Sequence, residues 1–252
     1  MKKLEFEAPW SIPNSDDCYF YHTMEFPDGE TFTGDWTIPD FSKYIGNYNV
    51  SGKTILDIGT ATGYLAFNAE KAGAKEVTGF DIKSSKEIRL IPFAVNESPI
   101  DHESDSDEIR TRNSWWYGWH KNKSAARCIY APIADLYNCD LMVDVVIAGA
   151  VLEHISDPVY AIGAWAKVAR EAVLIPFTPV IHDDELFMKT ATDWNNPHFC
   201  FTWWTLSTGL FKRVFDNLGF DVEFSTPSAA IFKYGQDGPV PVERPSIIAK
   251  RR

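Results

Sequence analysis

Long apolar runs are missing from this chain of 252 residues, and so are paired cysteines and any excess of basic charge. The first absence removes the signature of a membrane span, which needs about 20 consecutive apolar residues. The opening Met1-Lys2-Lys3-Leu4-Glu5-Phe6-Glu7 also lacks the apolar stretch of a signal peptide. Cys18, Cys128, Cys139 and Cys200 are scattered without a C-x-x-C pair, so a structural zinc site, or any metal site, is not expected. Reduced thiols in a cytoplasmic protein are the simplest expectation. Lys and Arg number 24 against 35 Asp and Glu, a formal charge of −11. The basic runs are short, at Lys121-Asn122-Lys123, Lys212-Arg213 and Lys250-Arg251-Arg252. Phosphate contacts need a basic face, so nucleic acid is disfavoured as a partner. Neither repeats nor low-complexity linkers occur.

What is present is ample material for a core. Hydrophobic residues make up 45% of the chain, enough for one large domain or one domain with an N-terminal extension. Residues 1–50 read as that extension: Pro9-Trp10, Pro27-Asp28-Gly29 and Gly34-Asp35-Trp36 suggest turns and short extended pieces covering a core. Residues 51–252 read as the main domain. Lys53 to Gly59 is a β-branched apolar run stopped by glycine, a buried strand. Thr62 to Ala72 has helical spacing and ends at Gly73; Glu76 to Ile82 is a second strand, completing a βαβ unit. A helix is expected over Asp107 to Trp119, after an exposed acidic stretch from Asp101. Strands are expected at Ala126 to Ile133, Val143 to Ala148 and Glu171 to Phe177. A helix opened by Asp157-Pro158 should run to about Ala169. A helix over Leu206 to Leu218 and strands at Phe220 to Phe224 and Ile247 to Lys250 close the pattern. Alternating strands and helices predict an α/β, Rossmann-like, doubly wound and mostly parallel sheet of seven strands.

The strongest chemical signal is Asp57-Ile58-Gly59-Thr60-Ala61-Thr62-Gly63, set between a strand and a helix. Glycines there let a ligand approach the backbone. Asp81 ends the next strand, where a carboxylate can accept both hydroxyls of a ribose. A tight structural turn would use the same glycines, but the strand–helix context and the second acid point to a ligand.

These segments resemble the class I S-adenosylmethionine-dependent methyltransferases over about Lys53 to Phe224. The resemblance implies S-adenosyl-L-methionine as cofactor. It places Asp57 by the methionine end, with Gly59, Thr60, Ala61, Gly63 and Tyr64 lining the cofactor and Asp81-Ile82 at the ribose. Ala61 stands where the usual middle glycine would be; a sulfonium cofactor carries no phosphate and tolerates the change, whereas a dinucleotide needs close approach of its pyrophosphate. Ala134-Asp135 matches the family's adenine-binding position, although an Asp there would also serve as a helix N-cap. Gly149-Ala150, in Ala148-Gly149-Ala150-Val151-Leu152-Glu153-His154, resembles the segment that makes room for the cofactor in small-molecule methyltransferases. Trp36 and Trp203-Trp204 resemble, more loosely, a subgroup that includes tRNA wobble-uridine carboxymethyl-transferring enzymes, and the resemblance adds Trp36 to the expected cofactor-binding residues.

Methyl transfer needs alignment, a dry pocket and, for a hydroxyl acceptor, a general base. His154, just past the fourth strand of the unit, and His182, among Asp183, Asp184 and Glu185, are the candidate bases. Each would also fit a bland role, His154 in packing and His182 in a solvated loop. The favoured acceptor is a small molecule, methylated on oxygen or nitrogen. An RNA-modifying alkyltransferase and a non-catalytic cofactor-binding subunit remain open alternatives. The acceptor site is expected between the cofactor and a cover made from residues 1–50 and 182–204.

Overall fold

The computed structural model describes residues 3–91, 106–191 and 201–252. The chain opens with strands β1 (Met24–Glu25), β2 (Thr31–Phe32) and β3 (Trp36–Thr37) and the one-turn helix α1 (Phe41–Tyr44). Then come β4 (Thr54–Ile58), α2 (Tyr64–Lys71), β5 (Glu76–Asp81), α3 (Ser106–Asn122), β6 (Arg127–Tyr130), α4 (Ile133–Asn138), β7 (Val143–Ile147), α5 (Pro158–Val168) and β8 (Ala169–Ile175). Three short strands follow, β9 (Val180–Ile181), β10 (Met188–Thr190) and β11 (Trp204–Ser207). Helix α6 (Thr208–Asn217) leads into a long hairpin of β12 (Phe220–Gly235) and β13 (Gly238–Arg251). Most of the stretch Asp101 to Asp107, and the Asn195-Asn196-Pro197 part of the expected cover, lie outside the described residues.

The main sheet has the order β3-β12-β13-β8-β7-β4-β5-β6. Strands β6, β5, β4, β7 and β8 are mutually parallel, and β13 is antiparallel to both β8 and β12. This is the doubly wound α/β arrangement, with one strand more than the seven expected. The eighth is β3, from the N-terminal extension, paired antiparallel to β12 at Thr37–Ile231 and Trp36–Phe232. It finds an edge there because β12 runs for 16 residues instead of stopping near Phe224. The sequence hides this length. Pro239, Pro241 and Pro245 interrupt the strand pattern of β13. They are tolerated because β13 meets β8 only over Ile247–Lys250, leaving the remainder with a free edge. Helix α4 begins at Ile133, which shortens the expected third strand. Leu206 belongs to β11, which shortens the last helix.

Alternation along the strands builds three layers. Ile55, Val145, Ile147, Leu174 and Ile248 face α2, α3 and the N-terminal extension. Leu56, Ile58, Val146, Val173, Ile175 and Ile247 face α4, α5 and α6. The extension inserts Phe20, Met24, Phe26, Ile38 and Tyr44 into the first cluster. Its helix α1 is pinned where the Tyr44 carbonyl accepts hydrogen bonds from Ser228 Oγ at 2.5 Å and Ser246 Oγ at 2.7 Å. Helix starts follow their caps: Asp157 accepts from the Tyr160 amide with Pro158 at the first position, and Ser207 accepts from the Leu210 amide. Among the described residues no helix is long and apolar enough to cross a membrane.

Candidate active site

The connections leave β4 and β7 in opposite directions across the sheet, which opens a crevice at their carboxyl ends. Gly59 lies there with φ +67°, and a Cβ on it would stand 2.5 Å from Val151 Cγ2 of the loop after β7. Gly63, with φ +84°, starts α2, and a Cβ on it would meet Phe67 at 2.5 Å and Trp115 at 2.9 Å. Both positions therefore need glycine for backbone and for space. Ala61 adopts φ +45° without that freedom. Ala150 and Phe177, past the ends of β7 and β8, are also left-handed, at φ +50° and +59°. Three of the five left-handed non-glycine residues among the described ones thus lie at the carboxyl ends of the strands, as backbone strain does around binding sites.

Two carboxylates face this crevice. Asp57 is buried; its Oδ2 accepts a 2.8 Å bond from Thr60 Oγ1, while its buried Oδ1 has no protein partner. Burial and the nearby Asp81 charge push the Asp57 carboxyl up to about 7, against the pull of the Thr60 bond. Asp81 accepts the Ala61 amide at Oδ2 and the Ile82 amide at Oδ1, each at 2.8 Å. Burial raises its carboxyl and these two amides oppose the rise. The bonds lock the glycine loop to the end of β5, so Asp57, Gly59, Thr60, Ala61, Gly63, Tyr64, Asp81 and Ile82 form one continuous group.

Gly149 joins that group: a Cβ there would press on Leu65 of α2 at 2.9 Å and on the Tyr44 hydroxyl at 3.3 Å. The Ala150 amide donates to the Pro176 carbonyl at 3.0 Å, tying the loop after β7 to that after β8. Ala134 and Asp135 sit in the first turn of α4, past the end of β6. The N-cap of α4 is Pro132, so Asp135 does not cap that helix. Trp36 stands at the opposite end of the site, its ring 5.6 Å from Phe177 and 4.8 Å from Phe232.

The two histidines part company. His154 ends a 3-10 turn after β7, with Nδ1 3.1 Å from the Phe201 carbonyl and its ring beside Phe201. His182 is exposed just past β9, among exposed Asp183, Asp184 and Glu185. Between the cofactor loop and Trp36 lies a polar group that sequence reasoning missed. Glu153, 6% exposed, pairs with Arg244 at 3.1 Å and accepts from Thr178 Oγ1 at 3.0 Å. Arg244 also donates to the Phe177 carbonyl and covers the Phe177 ring. Tyr44 stacks on Phe177 at 5.7 Å, and burial beside Glu153 holds its hydroxyl well above the usual phenol range. Tyr21 is driven up to about 12 by burial and by the Glu153 charge. The sequence signal for Glu153 was its place in the loop after β7; for Arg244 there was none.

Residues 37–224 match the family model described as a methyltransferase domain. The chain belongs to the S-adenosylmethionine-dependent methyltransferase family. The solved structures agree with the fold. The N-terminal domain of EvdMO1, solved with S-adenosylhomocysteine and D-fucose, has a TM-score of 0.54 at 11% identity, covering 91% of this chain and 90% of that one. Magnesium protoporphyrin IX methyltransferase from Synechocystis PCC 6803, with S-adenosylhomocysteine bound, has a TM-score of 0.50 at 14% identity, covering 84% and 80%. A structure described as a putative S-adenosylmethionine-dependent methyltransferase from Listeria monocytogenes has a TM-score of 0.50 at 14% identity, covering 84% and 98%. No curated protein matches the chain.

The methyltransferase's own residues fit its cofactor, S-adenosyl-L-methionine. The orphaned Asp57 Oδ1 suits the cofactor's ammonium, and a buried oxygen without a partner is otherwise costly. Asp81 keeps further lone pairs for ribose hydroxyls beyond the two amides it accepts. Gly59 and Gly63 hold the loop in its positive-φ path, tight against Val151, Phe67 and Trp115, between Asp57 and the start of α2.

Proposed function

We propose that this methyltransferase transfers the methyl group of S-adenosylmethionine to an oxygen or nitrogen of a small molecule. The acceptor lies between the cofactor and a cover drawn from the described parts of residues 1–50 and 182–204. The observation that carries this reading is the end of the crevice at Phe177, whose ring packs against Trp36 and Tyr44 and lies under Arg244, the partner of Glu153. Such a lining suits a compact acceptor with an apolar body and few polar groups. A nucleic acid would need surplus basic charge, and the chain carries −11.

The cofactor supplies an electrophilic methyl on a sulfonium. The protein aligns the acceptor and excludes water. An amine needs little more, whereas a hydroxyl needs a base. His154 is the better placed candidate. The Phe201 carbonyl can only accept, so Nδ1 donates to it, and in the neutral ring Nε2 is the nitrogen with the lone pair. His182 is the second candidate, from the segment that begins at the site edge.

Labelled S-adenosylmethionine incubated with a metabolite extract and, separately, with bulk tRNA tests the acceptor class. Label is expected in small molecules. Label in tRNA, or tight and salt-sensitive tRNA binding in a low-salt gel shift, overturns the reading. With an acceptor in hand, His154→Ala should slow turnover near neutral pH while S-adenosylhomocysteine binding holds. Wild-type turnover in both His154→Ala and His182→Ala would eliminate either as the base.

A further inference from the structure

We propose that Trp115 of α3 is a positioning residue for the cofactor, holding the Asp57 carboxylate through Thr60. Trp115 lies far along the chain from the glycine loop, in an aromatic run that composition alone assigns to packing. It is fully buried, and two independent contacts bring it to the loop. Its indole Nε1 donates to Thr60 Oγ1 at 3.2 Å, and Thr60 Oγ1 donates in turn to Asp57 Oδ2 at 2.8 Å. Its Cδ1 also occupies the space a Cβ on Gly63 would need.

The chain of donors has a direction. An indole N–H can only donate, so it takes one lone pair of the Thr60 oxygen and turns the hydroxyl proton toward Asp57. One oxygen of Asp57 is thereby fixed, and the other, Oδ1, stays buried without a protein partner. Neighbouring Trp116 provides the contrast. It is equally buried on the same helix, yet its Nε1 has no partner. Trp116 packs; Trp115 packs and donates.

Asp57 faces several other groups: Asp81 at the end of β5, Tyr44 of α1, Cys128 of β6 and the Ala66 amide of α2. None of these donates through Thr60. The relay's own contribution is to favour the ionised carboxyl, so removing it should shift the pH at which the cofactor's ammonium is accepted.

The test is the affinity for S-adenosylhomocysteine between pH 6 and 9, which requires no acceptor and stands apart from the proposal for the acceptor. Thr60→Val keeps shape and deletes the hydroxyl. It should move the midpoint of the affinity profile upward by about half a pH unit or more, with affinity at pH 6.5 falling roughly three- to tenfold. Trp115→Phe should move the midpoint the same way by less. The double variant should match Thr60→Val alone, since both act on one bond. Thr60→Ser should restore the wild-type midpoint, and Trp116→Phe should leave it in place even if it lowers thermal stability. An unchanged midpoint in Thr60→Val, or additive shifts in the double variant, overturns the proposal. Should Trp115→Phe fail to fold, the Thr60→Val and Thr60→Ser pair still decides whether the hydroxyl bond sets the midpoint, and an unchanged midpoint there overturns it.

Discussion

The cofactor half of this site and the half proposed to take the acceptor are built on opposite principles. Around β4 and β5 the backbone makes the site: two glycines with positive φ, a left-handed alanine, and Asp81 clamping the loop through its amides. Around β8, β12 and β13 side chains make it: Glu153 and Arg244 from distant segments, closed in by rings from α1, β3 and the loop after β8. A backbone site depends on a short contiguous segment and tolerates little change. A side-chain site assembled from five segments can change its lining while the scaffold stays fixed, which fits one cofactor served to many acceptors.

The comparison can be broken most forcefully at Asp57. Its carboxyl is raised from 3.8 to about 7, so the folded protein prefers the protonated form. Stability from this group is full below the unfolded value near 4 and is lost as pH rises through about 7. Cofactor-free protein should therefore lose stability between about pH 4 and 7, by at most about 4 kcal/mol from this residue, and level off above that. Asp57→Asn should flatten that loss in chemical denaturation series at several pH values. A wild-type profile that is flat or rises across this range would mean that the carboxyl is not desolvated. Next in size is Asp81→Ala. Two hydroxyl contacts at roughly 1.5–3 kcal/mol each imply a drop in S-adenosylhomocysteine affinity of at least about tenfold by calorimetry. Wild-type affinity would remove Asp81 from the cofactor site.

The acceptor half predicts the reverse pattern. Arg244→Met leaves Glu153 buried beside Thr178 with no counter-charge. Breaking a buried pair costs about 3–5 kcal/mol, and Arg244 is 32% exposed, so about 2 kcal/mol is expected here. Cofactor affinity should stay within about twofold, because the backbone site is separate. A variant that loses cofactor affinity while keeping its melting temperature would fuse the two halves into one.

The same division explains what the sequence disclosed. Asp57, Gly59, Gly63 and Asp81 were legible because a backbone site is local: strand, turn, helix and the next strand end all lie in one segment. Glu153 and Arg244 were not, because their meeting depends on β13 passing beside the loop after β7. The sheet order was legible in outline from alternation. Strand β3 was not, since two residues, Trp36 and Thr37, show no period, and their partner β12 continues past Pro227 through a register irregularity between Ser225 and Ser228. His154 was legible by position but its tautomer was not, since the Phe201 carbonyl comes from beyond β10.

The smallest effect concerns the strained alanines, and it sharpens the contrast at the level of the backbone. Ala61 and Ala150 both hold left-handed φ, where a Cβ costs roughly 1 kcal/mol or more. Glycine at either position removes that cost but adds unfolded-state freedom worth roughly 0.4–1 kcal/mol. The two terms nearly cancel, leaving an expected net gain of a few tenths to about 1 kcal/mol. The loop bonds should survive in each case, because they use the backbone: the Ala61 amide to Asp81 and the Ala150 amide to the Pro176 carbonyl. Ala61→Gly should therefore stabilise slightly while loosening the loop that presents Asp57 and Asp81, so that cofactor affinity falls by about twofold or less. Ala150→Gly should give the same small gain in stability. Melting curves and calorimetry on the two variants check this. A clear loss of stability in Ala61→Gly would show that the left-handed turn carries no strain, and that alanine is there to stiffen the loop.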